Sequence, residues 1–345
     1  MDIHPFLEVG DSPRRGVWYV LSCTGDAPSG RVGHSCTTDA KREFAYVIGG
    51  ATPQGAFDDV HRLNIDTLRW ERLSVSGTFV PRYEHAAFLP CDKSNSIYTF
   101  GGAEKSGNLN SIQVFDTESR SWTDLPVSGV VPEARTHHTS GGIENALIIY
   151  SGGSSGSEPV SDQLLHILDI DKVAWKQPPT SGTAPSPRHG HILIGVNRRV
   201  YVHGGMAGKE LHDDLHAISL DDFVWTRPET TGTSPSARAA HSAVAVQETI
   251  FIFGGMDSTG PLNDLYSLNT TTLHWSLIET TGGPPPAPRL DHTLCAVSLP
   301  VFAAAKEGEE KANAVEGRHM VLMVFGGMDT QGMMFDDCLA FSIET

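Results

Sequence analysis

The sequence predicts an all-β fold of six four-stranded blades set around a ring, a β-propeller, and three periodic features predict it. Tryptophan occurs at Trp18, Trp70, Trp122, Trp175, Trp225 and Trp275, 50 to 53 residues apart, and nowhere else. A diglycine follows a short apolar run six times, at Gly49-Gly50, Gly101-Gly102, Gly152-Gly153, Gly204-Gly205, Gly254-Gly255 and Gly326-Gly327. An Arg-x-x-His spacing also recurs six times, at Arg31/His34, Arg82/His85, Arg135/His138, Arg188/His191, Arg238/His241 and Arg289/His292. A period near fifty residues marks repeated supersecondary units, and four-stranded units repeated radially form a propeller.

Each repeat resolves into strands A to D. Strand A follows the Arg-x-x-His, whose histidine reads as a hydrogen-bonded polar group at the start of the inner strand and whose arginine reads as a tie between blades to carboxylates of the Asp59, Asp214, Asp264 and Asp337 class. Strand B is the apolar run before the diglycine (AYVI, IYTF, LIIYS, VYVH, IFIF and VLMVF), β-branched and aromatic, too short for a helix and ended by a breaker. Strand C follows an acidic or small polar pair, as where Asp58-Asp59 precedes VHRLN or Asp213-Asp214 precedes LHAIS. Strand D carries the tryptophan. The order of the marks then predicts the closure. Trp18 precedes the first Arg-x-x-His, and no tryptophan follows the last strand C. The N-terminal segment, roughly 16–23, therefore supplies strand D of the last blade and removes an open edge. The expected blades are about 31–73, 82–125, 135–177, 188–227, 238–278 and 289–345 plus 16–23, all in one domain over 1–345. The last two diglycines stand 72 residues apart against 50 to 52 elsewhere. The excess falls at 302–319, an Ala/Glu/Lys/Gly-rich stretch read as a flexible insertion between strands A and B of the last blade.

Composition excludes several classes of function. The 345 residues carry Lys+Arg 25 against Asp+Glu 41, a formal net charge of −16, which opposes non-specific nucleic-acid binding and direct attraction to anionic membrane. No apolar stretch is long enough to span a bilayer, and the segment MDIHPFLEVGDSPRR lacks the apolar core of a signal peptide. The five cysteines form no C-x-x-C pair and read as reduced thiols of a cytoplasmic protein.

The Gly-Gly, the downstream Trp and the repeat length resemble kelch repeats over nearly the whole chain. The tracts LEVGDSPRRGVWY, RVGHSC, PRYEHAAFLP, PSPRHGH, RLDHTLC and VFGGMDTQGMMFDDC resemble the kelch-motif effectors of a late-endosomal Rab-family GTPase. The resemblance implies a non-catalytic protein-binding propeller that takes the GTP-loaded GTPase, works in endosome-to-trans-Golgi vesicle transport, and is recruited peripherally to endosomal membranes by partners, other trafficking proteins among them. Those effectors carry a long charged insertion in the last blade. The one here is short, so no role of that loop carries over.

Motifs of catalysis do not hold up in this setting. Gly152-x-Ser154-x-Gly156 matches a nucleophile elbow, but that motif needs a helix after the turn. His212 and His216 on strand C would lie ~13 Å apart, too far for one ion. His189 and His191 lack a third ligand. Glu210, Asp214 and Ile218 break the E-x-x-x-D-x-x-x-H of iron-dependent kelch specifiers. No phosphate-binding G-x-x-x-x-G-K-[ST] is present. No cofactor and no metal are expected. The alternatives to the effector reading are a generic kelch scaffold for another protein partner and a metal-dependent kelch enzyme.

Strand order places the B–C and D–A loops on one face of the ring. The residues after each diglycine (Ala51, Ala103, Ser154, Met206, Met256 and Met328) and after each motif arginine (Tyr83, Glu84, His137, His189, Leu290 and Asp291) should meet at its centre. Met206, Met256 and Met328 on three adjacent blades give an adaptable apolar arc. Tyr83, Glu84 and His137 lie opposite. The expected partner-binding set is Tyr83, Glu84, His137, His189, Met206, Met256, Asp291 and Met328.

Overall fold

The structure of the protein, a computed structural model, describes residues 4–93, 95–136, 141–156, 158–302 and 315–343. The chain builds six antiparallel sheets in sequence order. Blade 1 comprises strands A Ser35–Thr38, B Phe44–Ile48, C Val60–Asn64 and D Arg69–Arg72. The next three blades repeat this pattern: Ala86–Phe88, Ser96–Phe100, Ile112–Asp116 and Ser121–Asp124 in blade 2; Gly141–Ile143, Ala146–Tyr150, Leu165–Asp169 and Ala174–Lys176 in blade 3; Ile192–Val196, Arg199–His203, Leu215–Ser219 and Val224–Thr226 in blade 4. Blade 5 has Ser242–Val246, Thr249–Phe253, Leu265–Asn269 and His274–Leu277. Blade 6 has A Thr293–Phe302, B Val315–Phe325 and C Cys338–Ser342, and its D strand is Trp18–Leu21. The A strands of neighbouring blades touch around the centre, blade 6 against blade 1 included. The fold is the six-bladed propeller, closed by antiparallel pairing of Trp18 with Phe341, Tyr19 with Ala340 and Val20 with Leu339.

The tryptophans join one blade to the preceding one. Every tryptophan is buried, and five of the six rings lie against the last residue of the previous blade's strand B. Trp18 meets Phe253 at 5.2 Å, Trp70 meets Phe325 at 5.6 Å, Trp175 meets Phe100 at 5.0 Å, Trp225 meets Tyr150 at 5.0 Å and Trp275 meets His203 at 5.4 Å. Where blade 1 offers the smaller Ile48, Phe79 stacks on Trp122 at 4.2 Å and fills the space. Strand B is mainly apolar because both of its faces pack against neighbouring blades.

The sequence reading missed a strap on the outer edge. The linker after each D strand carries a Ser-Gly or Thr-Gly, and five of these pair parallel to the tryptophan strand of the next blade. The pairs are Thr24–Gly25 with Arg69–Trp70, Ser76 with Ser121, Ser128 with Ala174, Ser181–Gly182 with Val224–Trp225, and Thr231–Gly232 with His274–Trp275. The edge of the closing strand is covered by Phe6–Leu7. Gly77 shows why glycine is required. It sits at φ +76, and a Cβ there would collide with the Trp122 carbonyl oxygen.

One repeat mark shifts by a residue. In blades 1, 2, 4, 5 and 6 the two glycines have φ near +65 and +90. In blade 3 these conformations fall on Ser151 (φ 55) and Gly152 (φ 115), so Gly153 takes the next position. The Ser151 side chain compensates its left-handed backbone: Oγ donates to the Arg188 carbonyl at 2.8 Å and accepts from the Arg188 N–H at 2.7 Å. Of the 302–319 stretch, Phe302 and residues 315–319 belong to the A–B ladder of blade 6, which runs to the Phe302–Val315 pair. Residues 303–314 lie outside the described residues.

Candidate functional site: the central mouth of the upper face

The B–C and D–A loops share one face, called upper here. At its centre the residue just after each motif arginine bridges a residue at or next to the diglycine, blade by blade: Val32 with Ala51, Tyr83 with Ala103, Thr136 with Gly153, His189 with Met206, Ala239 with Met256, and Leu290 with Met328. Gly153, not Ser154, is therefore the blade 3 member. Ser154 is exposed in the two-stranded hairpin Gly153–Ser155/Glu158–Pro159, and no helix follows it.

Just inside these bridges, among the described residues, runs an arc of left-handed residues: Gly33, Glu84, Gly190, Ala240 and Asp291, with φ between 53 and 63. They bond from blade to blade. The N–H of Glu84 donates to Gly33 O (2.6 Å), Gly33 to Asp291 O (3.3 Å), Asp291 to Ala240 O (3.1 Å), and Ala240 to Gly190 O (2.8 Å). Three of these positions hold side chains in a conformation that costs free energy outside glycine, and such strain gathers at functional sites. It fixes the Glu84 and Asp291 carboxylates at the mouth of a central cavity of about 230 Å³.

Of the motif histidines, His34, His85, His191, His241 and His292 line that cavity, and His34, His85, His241 and His292 bond to a neighbouring blade, as expected of a polar group at the start of the inner strand. His85 bonds Ser35 Oγ (3.0 Å), His34 bonds Thr293 Oγ1 (3.0 Å) and His292 bonds Ser242 Oγ (2.7 Å). In blade 4 Ile192 stands where those hydroxyls stand, and His241 instead meets His203 Nδ1 at 3.2 Å. Burial, reinforced by the Arg31 charge, lowers the His34 pKa to about 3. Burial and Arg238 lower His203 to about 3. His241 and His292 are lowered well below the usual value by the same desolvation. Burial thus favours neutral imidazoles at His34, His241 and His292, which line the cavity with hydroxyl and small apolar side chains under a rim bearing Glu84 and Asp291.

The motif arginines anchor the rim from below. The sequence suggested ties between blades. The side chains instead tie strand A to strand C within a blade, because the carboxylate before strand C lies beside the arginine of its own repeat. Arg31 reaches Asp59 at 2.6 Å, Arg135 Asp162 at 2.6 Å, Arg238 Asp264 at 2.6 Å and Arg289 Asp337 at 2.6 Å; Arg188 pairs with Asp214. Burial alone would raise the Asp59, Asp162 and Asp214 carboxyls. Hydrogen bonds from His61, His166 and His216, together with the arginines, hold them well below the usual range. The tie between blades runs through the arginine backbone, as where Gly50 N–H donates to Arg82 O at 2.9 Å. Arg82 has neutral partners, Ser111 Oγ (3.1 Å) and Gln113 Oε1 (2.9 Å), and desolvation lowers its pKa to about 10.

Of the expected partner-binding residues, Tyr83, Glu84, Asp291, Met206, Met256 and Met328 are half-buried at the mouth and His189 is buried. His137 lies outside the described residues. Sequence reasoning overlooked two exposed apolar side chains on this face, Leu164 at 53% and Met333 at 62%. Leu164 stands where four other blades have Asp59, Asp214, Asp264 and Asp337, so aligning the repeats position by position reveals it. His216 is committed to Asp214 (2.9 Å) and the Thr183 carbonyl (3.0 Å). Among the described residues no group of three or more His, Cys, Asp or Glu is placed to hold a metal ion. No helix among them is long and apolar enough to cross a membrane.

Comparison with known proteins agrees with this architecture. The KLHDC2/KLHL20/DRC7 Kelch-repeats domain family matches residues 40–255 and 163–345. The chain is 48% identical to a Homo sapiens protein named Rab9 effector protein with kelch motifs, over 99% of each chain. It is 45% identical to a Mus musculus protein of the same name, over 99% of this chain and 97% of that one. A Rattus norvegicus protein of that name is 44% identical over 99% of both. The chain belongs to the kelch-repeat propeller family, in the group whose members are named Rab9 effector protein with kelch motifs.

Proposed function

We propose that this propeller is a non-catalytic effector that binds a Rab-family GTPase in its GTP form and serves vesicle transport from endosomes to the trans-Golgi. It works in the cytoplasm and reaches endosomal membranes peripherally, through this and other trafficking proteins. The observation that carries the reading is likeness to the named effectors across 99% of the chain rather than in one blade.

The geometry favours the upper mouth as the contact. Tyr83, Glu84, Asp291, Met206, Met256 and Met328 stand there beside a hydrogen-bonded arc of backbone. His137 and His189 complete the proposed set, His189 by holding Met206 in place. Half-exposed methionines adapt to a partner's apolar surface, and the two carboxylates favour a basic group opposite them. Hydrolysis of GTP belongs to the partner. Capture by GTP-locked but not GDP-locked GTPase supports the proposal; equal capture by both overturns the effector assignment.

A further inference from the structure

We propose that Cys36 and Cys295 form a peroxide-oxidisable dithiol whose disulfide cross-links blade 6 to blade 1 at the ring's closing seam. Their sulfurs are 3.6 Å apart, on the innermost strands of the two blades. At the matching positions of other seams stand Val244 and Leu294, Ile194 and Ala243, or Thr37 and Ala87, so hydrocarbon or hydroxyl packing replaces thiols there. A small oxidant can reach the pair. Both cysteines line a cavity of about 480 Å³ at the lower end of the central channel. The Arg42 guanidinium lines the same cavity. Behind them, Cys23 on the N-terminal segment and Cys338 on the last strand C share the same core cluster. Four of the five thiols thus gather where the ends of the chain meet.

The reaction starts at Cys36, because Cys295 is buried and its pKa is raised by the hydrogen bond to Cys36 and by burial. The Cys36 thiolate attacks one oxygen of hydrogen peroxide. The O–O bond breaks, Cys36 becomes a sulfenic acid, and the other oxygen leaves as water with the thiol proton. The Cys295 sulfur then attacks Cys36 Sγ, the S–S bond forms, and the sulfenic hydroxyl leaves as a second water with the Cys295 proton. Two thiols lose two electrons, and one peroxide yields two waters. The new bond spans most of the chain, so it constrains the unfolded state strongly.

The test is non-reducing peptide mapping of the full chain after brief exposure to hydrogen peroxide. The expected result is a Cys36–Cys295 peptide, loss of two of the five titratable thiols, and a Tm raised by at least about 3 °C that dithiothreitol reverses. Cys91→Ser retains this behaviour and Cys36→Ser loses it. Oxidation confined to Cys91, or Cys36 driven to sulfinic acid while Cys295 stays a free thiol, would overturn the proposal. The mapping uses the unmodified chain and does not depend on any variant folding.

Discussion

Trp18 lies directly opposite Phe341 in an antiparallel ladder, their rings 5.0 Å apart, so the N-terminal strand Trp18–Leu21 completes the blade that ends in Cys338–Ser342. Removing residues 1–24 would strip blade 6 of its outer strand and expose Phe253 and Phe341. We expect the truncated chain to lose cooperative unfolding. Trp18→Ala alone should cost about 3–5 kcal/mol in urea denaturation. A truncation that melts like the full chain would show that the ring closes by other means.

The arginine–aspartate ties predict opposite effects in two blades. Asp59→Ala leaves the Arg31 guanidinium, 1% exposed, without its carboxylate, and should cost about 3–5 kcal/mol. Ser111→Asp gives Arg82 the carboxylate that its counterparts already have, and should stabilise by about 1.5 kcal/mol. Chemical denaturation midpoints of the two variants, moving in opposite directions, check this.

The edge straps predict a sharp difference between two glycines. Gly77→Ala places a Cβ against the Trp122 carbonyl at φ +76, and should cost more than about 1 kcal/mol. Gly317→Ala meets nothing within 4 Å and has no left-handed backbone, so its melting temperature should match or slightly exceed that of the parent.

Acid should weaken the ring through its histidines. His34, His203, His241 and His292 are held neutral in the fold, with pKa values below the ordinary 6.5. The unfolded chain therefore binds more protons once pH falls below 6.5. Their contribution is complete above that pH and is lost as pH drops toward the folded values, at up to about 1.4 kcal/mol per pH unit for each histidine. Asp59, Asp162 and Asp214 are shifted the same way but below the carboxylate range, so the interval from pH 6.5 to 5 isolates the histidines. Urea midpoints across that interval should fall steeply, and a flat profile would contradict the assignment.

Features that recur in every blade were legible in the sequence. Trp70 and the diglycine Gly49-Gly50 mark positions where the backbone and a neighbouring blade leave room for one residue type. Departures from the period were harder to read. Ser151 occupies a glycine conformation because its hydroxyl replaces a backbone partner, and no composition rule marks that. The Ser-Gly and Thr-Gly linkers are written in the chain six times, but they look like ordinary turn residues until the pairing of five of them is seen. Arg31 and Asp59 were recognised as a pair, while the blade they serve depended on which strands are neighbours in space. At the mouth, the residues of the two loop sets could be named, but not the arc that orients Glu84 and Asp291, because it is made of backbone bonds between blades.

The central claim, a nucleotide-sensitive partner at the upper mouth, is tested most directly by the affinity of the parent chain and of a Glu84→Lys/Asp291→Lys variant for a GTP-locked and a GDP-locked Rab-family GTPase. Calorimetry should give at least tenfold tighter binding to the GTP form, and at least a tenfold loss in the variant without a change in its melting temperature, equivalent to about 1.4 kcal/mol. Equal affinity for the two nucleotide forms, or a variant that binds as well as the parent, would contradict the account.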